Sequence, residues 1–337
     1  MLTNRFLQID EFCQHLVNMA TKRVPFSFIR LGDGEGAMLD FSEKSTMADV
    51  DYLREHFGPD CTIEQTYSIQ KILKQTINNA DLIGVRDDIL GVTFNPDAYH
   101  STERFMQAFK QAFNLRQVEK SLPYKDAKRI SMLHKQLTIW PSNKLQNICS
   151  QFIGWDFFSS GALPYILQNQ QSVGIISSRK EIGHVMQEAL SADIVHYQIP
   201  DKFERQSQNA KRHYPTAYYE LSTKIDVKYP GMVFIVGAGI VGKGYCQTIK
   251  ERGGIALDLG GVVDAWVGKL TRPKPLMEKY DLKKQYRLKF KKKFIPIIEN
   301  NIAIPEQFIM SKENIEKLSQ KWQQRQCNPK GIHAISN

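Results

Sequence analysis

Residues 232–242 read Met232-Val233-Phe234-Ile235-Val236-Gly237-Ala238-Gly239-Ile240-Val241-Gly242. Five apolar residues run straight into a G-x-G-x-x-G loop. A helical pattern with Tyr245 and Ile249 follows, and then Gly253-Gly254-Ile255-Ala256-Leu257-Asp258. Strand, glycine loop, helix, strand and acid make a βαβ unit, with Asp258 placed 21 positions after Gly237. That is the context a dinucleotide fingerprint requires. Gly237 makes the turn, Gly239 admits a phosphate and Gly242 lets the helix pack on the sheet. The helix N-terminus favours an anion.

A second loop ends an earlier apolar run, Phe26-Ser27-Phe28-Ile29-Arg30-Leu31, which Gly32 interrupts. Phe26, Phe28, Ile29 and Leu31 suit a buried strand, and Gly32 and Gly34 suit a turn after it. Asp33 and Glu35 then stand at the carboxyl end of a strand, where open α/β sheets bind ligands. Their hard oxygens suit Mg²⁺ or Mn²⁺. The plainer alternative is a turn in which Asp33 caps a helix starting near Gly36 and Glu35 is solvated.

Working outward, apolar strands alternate with helical patterns. The N-terminal positions Phe6, Ile9, Cys13, Leu16 and Ala20 line one helix face. A helix is predicted over residues 69–77, leading to a strand at 81–85. Another helix falls near 105–112 and a strand at 129–133. Residues 172–176 form a strand, and Ser177-Ser178-Arg179-Lys180 either contacts phosphate or caps the helix through Ile182, Val185, Met186 and Leu190. A strand follows at 193–197. The expected fold is α/β, a Rossmann-like, mainly parallel sheet with helices on both faces. Thr271-Arg272-Pro273-Lys274-Pro275 interrupts regular structure. The division is therefore a catalytic domain over 1–272 and a basic, helical appendage over 273–337.

The two loops together resemble the GT-D-type glycosyltransferases, a group once catalogued as a domain of unknown function. Phe28-Ile29-Arg30-Leu31-Gly32-Asp33-Gly34-Glu35 is similar to their D-x-E signature. Gly237-Ala238-Gly239, Ala256-Leu257-Asp258-Leu259-Gly260 and Asp264 are similar to their C-terminal pattern. The resemblance spans roughly residues 24 to 270. It implies that Asp33 and Glu35 hold a divalent metal, Mn²⁺ or Mg²⁺, against the diphosphate of a nucleotide sugar, UDP-linked by expectation. Gly32, Gly34, Gly237, Ala238, Gly239 and Gly242 are then the donor contacts. For this chemistry Arg30 either supplies fixed positive charge or forms a structural ion pair at the strand end. Asp258 and Asp264 are the candidate bases, with Asp156 behind them. The acceptor would be a bacterial glycan, glycolipid or glycoprotein. The complete G-x-G-x-x-G exceeds what that family needs and keeps an NAD(P)-dependent oxidoreductase open as the alternative.

The chain has 337 residues, 42% hydrophobic and 24% charged, an ordinary globular composition. No apolar run approaches ~18 residues, so no spanning helix is expected, and residues 1–6 lack a signal-peptide apolar region. Five cysteines, at 13, 61, 149, 246 and 327, show no C-x-x-C pair. Neither a zinc site nor a disulfide framework is indicated, and a reducing cytoplasm fits. The net charge of +10 is concentrated near the C-terminus: residues 283–294 hold seven Lys or Arg and no acid, interleaved with Tyr286, Leu288, Phe290 and Phe294. This is either a solvated face or a contact with the anionic inner face of a membrane; a purely nucleic-acid-binding role leaves two phosphate-type loops unexplained. If it is a membrane contact, replacing Lys291, Lys292 and Lys293 with Gln weakens sedimentation with anionic vesicles. Equal binding of wild type to neutral and anionic vesicles contradicts it.

Overall fold

The computed structural model describes residues 9–85, 148–151, 153–159, 162–201 and 211–267. The helix near 105–112, the strand at 129–133, the boundary at 271–275 and the basic segment lie outside these residues.

Seven strands form one sheet in which every pairing is parallel. They are β1 (Phe26–Leu31), β2 (Leu82–Val85), β3 (Ile148–Ser150), β4 (Ser172–Ser177), β5 (Asp193–Gln198), β6 (Val233–Gly237) and β7 (Ile255–Asp258). Their order across the sheet is β3-β2-β1-β7-β6-β4-β5. The N-terminal part of the chain builds one side and the C-terminal part the other. The two meet where Phe26, Ser27 and Phe28 of β1 pair with Ile255, Ala256 and Leu257 of β7.

Strands β1, β2, β4, β6 and β7 are buried along most of their length, so they read as apolar runs rather than alternations, while the edge strand β5 is half-buried with exposed ends. One face buries Ile29, Leu31, Phe234, Val236 and Ala256. The helices α2 (Asp33–Asp40), α3 (Met47–Phe57), α4 (Ile63–Asn79), α8 (Tyr218–Lys224) and α9 (Gly242–Glu251) contribute to that core. The other face buries Phe26, Phe28, Val233, Ile235, Ile255 and Leu257. There the helices are α1 (Ile9–Lys22), α5 (Ile153–Ser159), α6 (Ala162–Gln168), α7 (Ile182–Ala189) and α10 (Gly261–Trp266). The expected doubly covered parallel sheet is therefore the observed one.

Two local differences have physical causes. The helix after β1 begins at Asp33, not near Gly36, because the Glu35 side chain reaches back and accepts the Gly32 N–H at 2.8 Å. A carboxylate at the third helical position satisfies a backbone donor that a turn would leave to water. Strand β3 is only three residues long, too short to carry an apolar signature of its own.

Gly174 on β4 faces Phe234 on β6 in register, and the Phe234 ring fills the space a side chain at Gly174 would need. Tyr197 of β5 stacks on the same ring, with centroids 6.4 Å apart. Gly174→Ala therefore destabilises the protein by about 1–3 kcal/mol through overpacking. Phe234→Leu in that background recovers part of the loss, as denaturant titration of the double-mutant cycle measures. A neutral Gly174→Ala contradicts this packing.

Candidate functional site

The carboxyl ends of β1, β7, β6 and β4 open on one cleft of about 400 Å³. Both loops singled out in the sequence line it: Gly32, Gly34 and Glu35 from one, Gly237, Ala238, Gly239 and Ile240 from the other. They approach closely, since a Cβ at Gly34 would stand 3.2 Å from Ile240 Cδ1. Gly239 has φ +65° and nothing within 4 Å of where its side chain would be, so a ligand can meet the backbone there. At Gly242 a Cβ would meet Ala238 Cβ at 2.9 Å, which places the start of α9 hard against the loop.

Beneath the loops lies a network of four charges. Lys243, 3% exposed, is the residue after the last glycine. Its Nζ lies 2.5 Å from Glu35 Oε1 and 3.0 Å from Asp258 Oδ2, and it donates to the Gly239 carbonyl at 3.2 Å. All three ammonium protons thus have an acceptor. Asp258, 1% exposed, also accepts the Arg30 N–H at 3.1 Å and Arg30 Nη2 at 3.3 Å, while its backbone carbonyl accepts Arg30 Nε at 2.8 Å. The Arg30 guanidinium crosses Gly260, which has φ +49° and no room for a side chain.

Burial acts to raise the Asp258 pKa, but Lys243 and Arg30 outweigh it and hold the carboxyl below its ordinary value. Burial likewise acts to lower the Lys243 pKa, and Asp258 and Glu35 outweigh it, so the ammonium is held above its ordinary value. Both groups stay charged throughout the neutral range.

A second cluster forms the other wall. Arg179, after β4, donates from Nε to Asp264 Oδ1 at 2.6 Å and from Nη1 to Asp201 Oδ2 at 2.9 Å. Ser178 Oγ donates to the same Asp201 oxygen at 3.1 Å. The Ser177-Ser178-Arg179-Lys180 stretch makes no side-chain cap on α7. Ser177 Oγ instead accepts the Arg179 N–H at 3.1 Å, and the guanidinium turns to the two acids.

Among the sequence-derived candidates, Arg30, Gly32, Gly34, Glu35, Gly237, Ala238, Gly239 and Asp264 line the cleft. Asp258 lies directly beneath it, bonded to Arg30 and Lys243. The solvated Glu35 of the plainer alternative is not what is found: Glu35 is 7% exposed and paired. Asp33 is the first residue of α2 and Glu35 the third, about 200° apart around the axis, so the two positions do not share a helix face. Asp156 falls within α5. Asp258 is the fingerprint acid that would meet a nicotinamide cofactor's ribose, and it is covered by Arg30 and Lys243 instead.

Lys243, Asp201, His56 and Gln151 line the cleft without having been singled out in the sequence. Lys243 did have a signal: Gly237 to Lys243 has the G-x-x-x-x-G-K spacing of a phosphate loop, although Gly244 stands where such loops carry Ser or Thr. Among the described residues no three His, Cys, Asp or Glu side chains converge on a metal position. Glu35 retains lone pairs beyond the two contacts it makes and borders the cleft. One carboxylate beside an open cleft fits a cation shared with substrate phosphates rather than caged by protein.

Asp258→Asn should cost about 3–5 kcal/mol at neutral pH, because two buried cations lose their shared anion. The depressed Asp258 pKa adds stability that is full above the ordinary 3.8 and is lost as pH falls through the lower folded value. The raised Lys243 pKa adds stability that is full below the ordinary 10.5 and is lost as pH rises through the higher folded value. The deficit of the variant, measured by denaturant unfolding, should therefore shrink in acid. A deficit that is equal at pH 7 and in strong acid contradicts this electrostatic account.

No family model matches the chain, and no curated protein matches it. Solved structures similar to it include two of domain of unknown function 1792. One is a selenomethionine-substituted structure, 18% identical with a TM-score of 0.46 over 93% of this chain and 94% of that chain. The other is described as showing that this highly conserved domain has a distinct glycosyltransferase fold. It is 17% identical with a TM-score of 0.45, again over 93% of this chain and 94% of that chain.

Proposed function

We propose that this protein is a glycosyltransferase that takes a sugar from a nucleoside diphosphate donor, UDP-linked and accompanied by Mn²⁺ or Mg²⁺, and moves it to a hydroxyl of a glycan, glycolipid or glycoprotein. The supporting observation is the charge balance of the cleft. Its three cations, Arg30, Lys243 and Arg179, are already paired with Glu35, Asp258, Asp201 and Asp264. Paired in this way, the described walls carry no surplus positive charge. Three cations set against four carboxylates leave a net charge of −1, so a diphosphate entering alone finds no net attraction, whereas one entering with a divalent cation is neutralised.

Each residue then has a part. Glu35 would hold the cation, which when bound supplies Lewis-acid stabilisation of the leaving diphosphate; Asp33, on another face of α2, is not placed to share it. The open backbone at Gly239 and the N-terminus of α9 receive the phosphates. Arg30, fixed by Asp258, presents a guanidinium to the cleft that cannot lose its charge. Asp258 holds Arg30 and Lys243 in place, a part its burial suits better than that of a base. Asp264 is the base. In an inverting transfer its carboxylate takes the proton of the acceptor hydroxyl. The hydroxyl oxygen bonds to the anomeric carbon as the bond from that carbon to the diphosphate oxygen breaks, and the electron pair leaves with the nucleoside diphosphate. Arg179 keeps that carboxylate aimed.

A panel of nucleotide sugars assayed for hydrolysis and transfer, with Mn²⁺ and with a chelator, tests this reading. Turnover should require the metal. Glu35→Gln should lose most of it with the fold intact by circular dichroism. Asp264→Asn should lose about 10²–10⁴-fold while still being stabilised by UDP. Stabilisation by NAD(P) and by no nucleotide sugar, or full activity in Glu35→Gln, contradicts it.

A further inference from the structure

A lysine in the first turn of a helix is electrostatically misplaced, because the N-terminal end carries partial positive charge. Lys243 is the second residue of α9, and its ammonium is buried there against Glu35 and Asp258. Packing alone does not call for it, since a buried ion pair is weak grounds for stability compared with an apolar residue of similar volume. What the ammonium does occupy is the space beside Glu35 Oε1, the carboxylate assigned above to a divalent cation.

We propose that Lys243 is a resident counter-cation that withholds Glu35 from free metal ions, so that the divalent cation is taken up only together with the donor's diphosphate. The proposal rests on the nucleotide-sugar reading and adds to it an order of assembly. A metal ion arriving alone must displace the ammonium from its 2.5 Å contact and then stand beside it, with Arg30 close by. Like charges at that range repel. A diphosphate changes the balance because its oxygens give the ammonium new partners on the cleft side of Gly239, whose carbonyl Lys243 already touches. Metal and nucleotide then favour each other's binding by the same factor. The empty enzyme is thereby kept from trapping metal, and Glu35 and Asp258 are never left buried without a cation.

Binding of Mn²⁺, read from the electron paramagnetic resonance signal of the free ion, tests this without any turnover. Wild type and Lys243→Met are titrated with Mn²⁺, each with and without UDP. Wild type should bind Mn²⁺ with UDP and hardly at all without it. Lys243→Met should bind Mn²⁺ without UDP at least about tenfold more tightly than wild type does. Lys243→Arg, which keeps the charge, should retain the dependence on UDP and serves should the Met variant not fold. Equal Mn²⁺ binding by wild type with and without UDP overturns the inference and leaves the donor reading standing. So does a folded Lys243→Met that binds Mn²⁺ as wild type does. Failure of folded wild type to bind UDP and Mn²⁺ together overturns both.

Discussion

The seam between β1 and β7 is held at its carboxyl end by charge. Arg30 comes from β1, Asp258 from β7, Lys243 from the helix after β6 and Glu35 from the helix after β1. Each enters the sequence far from at least two of the others, and the four meet at the floor of the cleft, where all but Arg30 are buried. Asp258 is the member the set depends on, because it pairs with both cations and its loss leaves charge that the interior penalises heavily, whereas Lys243 keeps Asp258 as a partner if Glu35 is neutralised. The glycines follow from this. Gly260 is needed because Arg30 crosses it to reach Asp258, and Gly242 brings the first turn of α9 close enough for Lys243 to reach Glu35.

The same set decides how the cleft meets a ligand. Had Arg30 and Lys243 been unpaired, the cleft would attract any phosphate. With their charges answered from within, what remains is an open backbone turn at Gly239, a carboxylate with spare lone pairs at Glu35 and a second wall of acids aimed by Arg179. That combination suits an anion carrying its own cation on one side and a hydroxyl-rich group on the other. Oriented carboxylates can accept hydrogen bonds from sugar hydroxyls, and one of them can take a proton.

Much of the architecture was legible from local pattern. The strands at 26–31, 172–177 and 233–237 are mostly apolar and bounded by turn residues, so fold class and the placement of both loops at carboxyl ends of strands could be reasoned from sequence. Two kinds of feature could not. The first is reciprocity at short range: Asp33-Gly34-Glu35-Gly36 is glycine-rich and reads as a turn, but Glu35 satisfying the Gly32 N–H makes it a helix. The second is long-range partnership. Nothing near Lys243 says that it turns inward to residues 35 and 258, and nothing near Arg179 says that Asp201 and Asp264 await it. Asp258 shows the cost of this. Its spacing from the glycine loop fits the acid of a dinucleotide fingerprint, and the family resemblance made it a candidate base, while its neighbours in the fold are two cations.

The central claim is that a metal-accompanied nucleoside diphosphate is held between Glu35 and the Gly239 turn. A crystal structure of the protein with UDP and Mn²⁺, with anomalous scattering recorded for the metal, addresses this directly. The account predicts an anomalous peak within bonding distance of a Glu35 oxygen, with the diphosphate against Gly239. A diphosphate bound elsewhere, or a manganese peak remote from Glu35, would contradict it.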